Sequence, residues 1–219
     1  MPFNPDELQA VIFDMDGVLV DTEAVYKNTA FEVAREFGFH MNDELHNSTI
    51  GLPFEVGALM IRKAMGPEFP FDEFMQVLDA RVTTRLMAQV PVKKGVVEML
   101  KKLEDLQIPT GVVTSSSSQA AIHHLSRSDL IASFETIITR DDVDNGKPHP
   151  EPYLLAAQRL EVEPEFCLAI EDSYNGVRSA HGAGMLTIMV PDLLVPTKEM
   201  YSLSIAVMKD MYQLHAHFE

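Results

Sequence analysis

The apolar run Ala10-Val11-Ile12-Phe13 stops abruptly at Asp14-Met15-Asp16-Gly17. An unbroken apolar run this short reads as a strand buried on both faces, and such strands belong to parallel sheets. Two carboxylates at the end of a buried strand are costly unless something compensates them. The C-terminal edge of a parallel sheet is also where open α/β folds bind ligands. The first twenty residues therefore place acid chemistry at the expected mouth of a site.

Similar short runs recur at 110–114, 136–139, 166–170 and 186–190, and segments of helical period separate most of them. That alternation predicts an α/β fold, a Rossmann-like doubly wound parallel sheet. The gap between the first two runs is far longer than one crossover helix requires. Val25, Thr29, Val33 and Phe37 form a helical stripe ending at Gly38, and further helices are predicted at 54–65 and 72–89. Residues 21–88 thus read as an inserted α-helical cap domain, and 1–20 with 89–219 as the α/β core. A helix at 95–106 returns the chain to the core. Ser115–Ser118 opens another at about 119–125, where hydroxyls and free amides suit an anion. A further helix is expected at 173–181, and the tail 200–219 should add a strand or a helix.

The formal net charge is −16. A charge of that sign argues against nucleic acid and anionic membrane partners, which need basic surfaces. An anionic ligand would have to be drawn in by a local device, such as a metal ion or a lysine. The single cysteine, Cys167, lies in an apolar run and reads as a buried thiol in a reducing compartment. No signal peptide or membrane span is evident, so a cytoplasmic monomer is expected.

Four features follow predicted strands in turn: Asp14 and Asp16, then Ser115, then Lys147 in Gly146-Lys147-Pro148, then Glu171 and Asp172. Strands of a parallel sheet share a direction, so all four converge on one edge. Asp14, Glu171 and Asp172 crowd negative charge there, which raises pKa values or demands a cation. Oxygen-only ligands point to a hard divalent ion, Mg²⁺ foremost because it partners phosphates. A metal, a lysine and a hydroxyl-rich helix start describe a phosphoryl-binding site. An adjoining aspartate can serve as nucleophile.

These motifs resemble those of the haloacid dehalogenase-like hydrolases, in the branch with a small helical cap. Asp14-Met-Asp16-Gly-Val is similar to the family's first motif, Val112-Val-Thr-Ser115 to the second, Gly146-Lys147-Pro148 to the third and Ile170-Glu171-Asp172-Ser173 to the fourth. The resemblance implies Asp14 as nucleophile and metal ligand. It implies Asp16 as general acid/base, with its backbone carbonyl on the metal. Ser115 and the amide of Ser116 would bind phosphate, Lys147 would brace nucleophile and phosphate, Asp172 would ligate the metal and Glu171 would support metal-bound water. The substrate would be a small phosphorylated metabolite such as a sugar phosphate.

Within the family the expectation is a Mg²⁺-dependent phosphomonoester phosphatase working through an aspartyl-phosphate. The alternatives are a β-phosphoglucomutase-like isomerase and, third, a non-catalytic sugar-phosphate-binding protein. In this branch mutases resemble one another in a histidine after the tyrosine of the first cap helix and an arginine in the cap loop. Here Lys27 follows Tyr26, and the loop 49–54 has no arginine. Gly51 and Pro53 suit a turn that presents Thr49 and Phe54 to the substrate. Arg62, Arg81 and Arg85 are candidates for a second anionic group, and read first as solvated helix faces. The histidines, His123 and His124 among them, read as structural or surface residues.

Overall fold

The computed structural model describes residues 3–49 and 54–218. The chain divides into two compact units, Thr22–Val90 and the combination of Met1–Asp21 with Pro91–Glu219. The first carries the helices α1 (Thr22–Glu36), α2 (Asp43–Thr49), α3 (Phe54–Met65) and α4 (Phe71–Ala88). Its core is aromatic: Ala30, Val33 and Ala34 of α1 meet Phe71, Phe74 and Leu78 of α4. The Phe69 ring lies 4.9 Å from Phe39 and 5.0 Å from Phe74. Helix α2 was not expected, because its seven residues are mostly polar and show no apolar period. It forms after Asn42, whose side chain accepts a hydrogen bond from the Leu45 amide at 2.9 Å.

The second unit is built on a sheet of β1 (Ala10–Phe13), β2 (Thr110–Val113), β3 (Thr136–Ile138), β4 (Cys167–Glu171), β5 (Leu186–Met189) and β6 (Ala206–Val207). All neighbouring strands are parallel, in the order β3-β2-β1-β4-β5-β6. Helices α5 (Val96–Asp105), α6 (Ser118–Arg127), α7 (Glu151–Arg159), α8 (Tyr174–Gly182), α9 (Lys198–Leu203) and α10 (Met211–His215) accompany it. Every residue of β1 is fully buried. Ala10 and Ile12 join Val113, Ile138, Cys167 and Ala169 against Tyr153, Ala156 and Ala157 of α7 and Ala180 of α8. Strand alternation turns Val11 and Phe13 to the opposite face. This two-sided burial explains why β1 reads as a continuous apolar run. The tail uses both expected forms, with β6 extending the sheet between α9 and α10.

The strand order reverses between β1 and β4, so their C-terminal ends flank the topological switch where such sheets open a crevice. The register pairs Phe13 with Ile170. One further ladder bond, from the Asp14 amide to the Ile170 carbonyl at 2.9 Å, places Asp14 beside Glu171. The chain leaves this unit after Asp21 and returns at Pro91. The two crossings are tied by Asp21 N to Pro91 O at 2.9 Å and Lys93 N to Leu19 O at 2.9 Å. Among the described residues no helix is long and apolar enough to cross a membrane.

Candidate active site

The site grows from the reversal point of the sheet. Lys147 comes from the loop after β3 and reaches across the end of β2. Its ammonium donates to the Asp14 carboxylate, to Glu171 Oε1 at 2.6 Å and to the Val113 carbonyl at 2.9 Å. Three donors meet three acceptors, so the ammonium is fully used. The Lys147 side chain is 4% exposed and that of Glu171 fully buried. Burial alone would lower the Lys147 pKa, but Asp14 and Glu171 outweigh it and hold the lysine above its ordinary value.

Glu171 ends β4 with both carboxylate oxygens engaged. Oε1 accepts from Lys147 and from the Tyr153 hydroxyl at 2.8 Å, and Oε2 from Ser173 Oγ at 3.0 Å and the amides of Asp172 and Ser173. Gly176, in the first turn of α8, makes room for it. A Cβ there would lie 1.8 Å from Glu171 Oε1. Gly17 serves Asp172 in the same way. It holds φ at +87°, and a Cβ would lie 2.4 Å from Asp172 Oδ2.

Asp14, Glu171 and Asp172 offer carboxylate oxygens within 4.8 Å of one another. Burial pushes the Asp14 pKa up to about 7; Glu171 and Asp16 add to the rise and Lys147 opposes it. Burial pushes Asp172 up to about 9, with Asp14, Glu171 and Asp192 pushing the same way. One lysine therefore does not neutralise the cluster. An all-oxygen donor set with excess negative charge fits a hard divalent cation such as Mg²⁺. The Asp16 side chain stands outside this cluster. Its Oδ2 accepts from Ser116 Oγ at 3.1 Å, and its Oδ1 lies 3.9 Å from Nδ1 of His124.

The four serines after β2 divide into separate tasks. Ser117 caps α6 by accepting from the Ala120 amide at 3.3 Å. Ser118 donates its amide to Asp141 at 2.8 Å and shares a hydroxyl contact with Thr139 at 2.8 Å. The helix start itself is thus capped by Ser117, the plain serine cap that the run also allowed. The α6 terminus already holds the Asp141 carboxylate, leaving exposed Ser115 and half-buried Ser116 as the phosphate candidates. Thr49 closes α2 and donates to the His46 carbonyl at 2.8 Å. Phe54 opens α3, but its side chain and the turn residues Gly51 and Pro53 lie outside the described residues.

The arginines offered to a second anion are all engaged within the helical unit. Arg62 pairs with Asp72 at 2.6 Å and lies over the Phe71 ring. Arg81 grips Glu36 through two bonds, at 2.6 and 2.8 Å, and Arg85 holds Glu32 and Thr29. Lys27 pairs with Asp43. Cys167 is buried and its thiol is pushed up to about 12 by burial, as an inert core residue should be.

Two residues of the site were missed in the sequence. Tyr153 lies on the buried stripe Pro152, Tyr153, Ala156, Ala157 of α7, a pattern that was legible. His124 is half-buried beside Asp16, a structural histidine whose neighbour the sequence does not show. It precedes buried Leu125 on α6 and follows buried Ala121 by three residues, which turns it inward.

Residues 11–190 match the family described as haloacid dehalogenase-like hydrolase, and the chain belongs to that family. It is 36% identical over 181 residues to the phosphorylated carbohydrates phosphatase of Thermotoga maritima, covering 81% of this chain and 82% of that protein. It is 30% identical over 192 residues to hexitol phosphatase B of Escherichia coli, covering 85% of each. Among solved structures, a hydrolase of the same family from Deinococcus radiodurans, with bound phosphate and sodium, aligns with a TM-score of 0.80 at 27% identity. That alignment covers 95% of this chain and 93% of that one.

Two measurements check the electrostatics. Asp14 and Asp172 bind protons more tightly folded than unfolded, so they stabilise the fold fully below about pH 4. That contribution is lost as pH rises, through about 7 for Asp14 and about 9 for Asp172. In chelator, thermal denaturation should give a midpoint that falls from pH 5 to pH 9; a flat or rising profile contradicts the assignment. Gly176→Ala should cost about 1–3 kcal/mol in chemical denaturation, because the displaced Glu171 has nowhere to go.

Proposed function

We propose that this protein is a Mg²⁺-dependent phosphomonoester phosphatase that acts on a small phosphorylated carbohydrate through a phosphorylated Asp14. The observation that carries this reading is the buried contact of Asp14 with Lys147 beside Glu171 and Asp172. It holds a carboxylate at the sheet's ligand-binding edge, in a place where charge must be compensated. The phosphatase relatives support the substrate class. Helix-bound Thr22–Val90 is the specificity cap in this reading, with Thr49 and Phe54 as its contacts.

In the first step Asp14 Oδ attacks phosphorus in line with the ester oxygen. The P–O ester bond breaks, and the leaving alkoxide takes a proton from Asp16. In the second step Asp16, now ionised, takes a proton from water as that water attacks the phosphoryl group, releasing phosphate and regenerating Asp14. Lys147 favours the ionised form of Asp14 and orients it, and its charge draws in the phosphoryl oxygens. Ser115 and the Ser116 amide hold those oxygens. Asp14, Asp172 and the Asp16 backbone carbonyl would bind Mg²⁺, with Glu171 behind them. When bound, the ion supplies positive charge against the nucleophile and the phosphoryl group. Asp16 is suited to its two roles because it is the more solvent-accessible aspartate, away from the lysine.

A sugar-phosphate mutase must seat a second phosphate. Arg62, Arg81 and Arg85 are each bound to a carboxylate of their own unit, and this favours hydrolysis over mutation. The defining experiment is a screen of sugar phosphates with Mg²⁺, followed by phosphorus NMR. Inorganic phosphate should appear, chelator should abolish it, and Asp14→Asn should lower turnover by more than about 10³-fold. Isomerised sugar phosphate outpacing phosphate release would reverse the reading in favour of a mutase. A second test addresses Asp16. Asp16→Ala should lower kcat/KM on an alkyl phosphate by about 10²–10⁴-fold. The loss should be much smaller on p-nitrophenyl phosphate, whose leaving group needs no proton; equal losses would remove Asp16 from proton transfer.

A further inference from the structure

We propose that His124 is a positioning residue for Asp16, which it orients from helix α6 through its Nδ1 atom. The inference rests on the acid/base reading of Asp16. Three observations carry it. The Nδ1 atom is buried and finds no hydrogen-bond partner. It lies 3.9 Å from Asp16 Oδ1. The other oxygen of the same carboxylate, Oδ2, accepts from Ser116 Oγ at 3.1 Å.

A buried ring nitrogen without a partner is costly. Ala121 and Leu125, its buried neighbours, are plain apolar residues. The His124 side chain is less exposed than that of Asp16, and the His123 ring lies edge-on to it at 5.9 Å. A neutral imidazole carrying its proton on Nδ1 is a donor aimed at Asp16. The separation is longer than a hydrogen bond, as is common for catalytic contacts before substrate binds, and a small side-chain rotation closes it.

The purpose follows from the exposure of Asp16. Its side chain is 36% exposed and must present one oxygen to a leaving group and later to water. Ser116 holds one oxygen of that carboxylate, and a donor from α6 on the other oxygen helps to fix its plane. His124 touches no reacting atom in this arrangement, so it acts through Asp16 alone.

The experiment compares His124→Leu, His124→Asn and His124→Gln with Asp16→Ala in the full-length Mg²⁺-loaded enzyme. Each is assayed for kcat/KM on a hexose 6-phosphate and on p-nitrophenyl phosphate, with thermal midpoints recorded. His124→Leu should lower kcat/KM on the hexose phosphate by about tenfold, a fraction of the full acid–base contribution. On p-nitrophenyl phosphate it should stay within about twofold of wild type, by the same reasoning. His124→Asn, whose amide nitrogen takes the place of Nδ1, should restore the ratio between the substrates. His124→Gln, whose amide reaches the Nε2 position, should not. If the leucine variant fails to fold, the asparagine–glutamine contrast decides alone. Equal falls on both substrates, an unchanged ratio, or asparagine behaving like glutamine would overturn the proposal. If Asp16→Ala alters the ratio and His124→Leu does not, only this inference fails. If Asp16→Ala leaves the ratio unchanged, the acid/base reading fails with it.

Discussion

The contact between Lys147 and the two carboxylates Asp14 and Glu171 is the interaction on which the site depends. It joins the ends of three strands far apart in the chain: β1 through Asp14, β2 through the Val113 carbonyl and β4 through Glu171. A buried charge of either sign is tolerable only when paired and hydrogen-bonded. Here each group is the other's condition of burial. Removing the lysine would strand two acids in a dry place, and removing Glu171 would leave one lysine donor and the Tyr153 hydroxyl without their acceptor.

Glu171 shows why a strand can end in an acid and stay buried. Its side chain folds back over the start of α8, where Ser173 and two amides receive it, and Gly176 supplies the space. The helix N-terminus is a favourable place for a carboxylate. The same device recurs at α6, where Asp141 meets the Ser118 amide. The sheet edge therefore carries two helix starts already filled by the protein's own acids, while Ser116 spends its hydroxyl on Asp16 and its amide on Thr114 Oγ1 at 3.1 Å.

Much of this was legible in the sequence, for identifiable reasons. β1 through β5 are short apolar runs because parallel strands are buried on both faces. Helices α1, α3 and α4 announced themselves by apolar period and by Gly38, which takes φ +82° as a stop. The convergence of Asp14, Ser115, Lys147, Glu171 and Asp172 followed from strand direction alone. Helix α2 was hidden because it is short and polar, stabilised at its start by one asparagine. Tyr153 and His124 were hidden for another reason. Each is a polar-tipped side chain on an apolar stripe, and periodicity identifies such a face without saying what its polar atoms meet. The serine run hides a division of labour, since Ser116, Ser117 and Ser118 each take different partners.

The parallel pairing of β1 with β4 joins residues 10–13 to residues 167–171. The nucleophile candidate is thus synthesised well over a hundred residues before its lysine and acidic neighbours. Such distant pairing imposes a late closure on assembly. A growing chain has Asp14 as an ordinary solvated carboxylate until Lys147 and β4 emerge. The charge-compensated cluster therefore cannot exist before β4 has been made, and a chain ending ahead of it would lack Glu171 and Asp172 altogether.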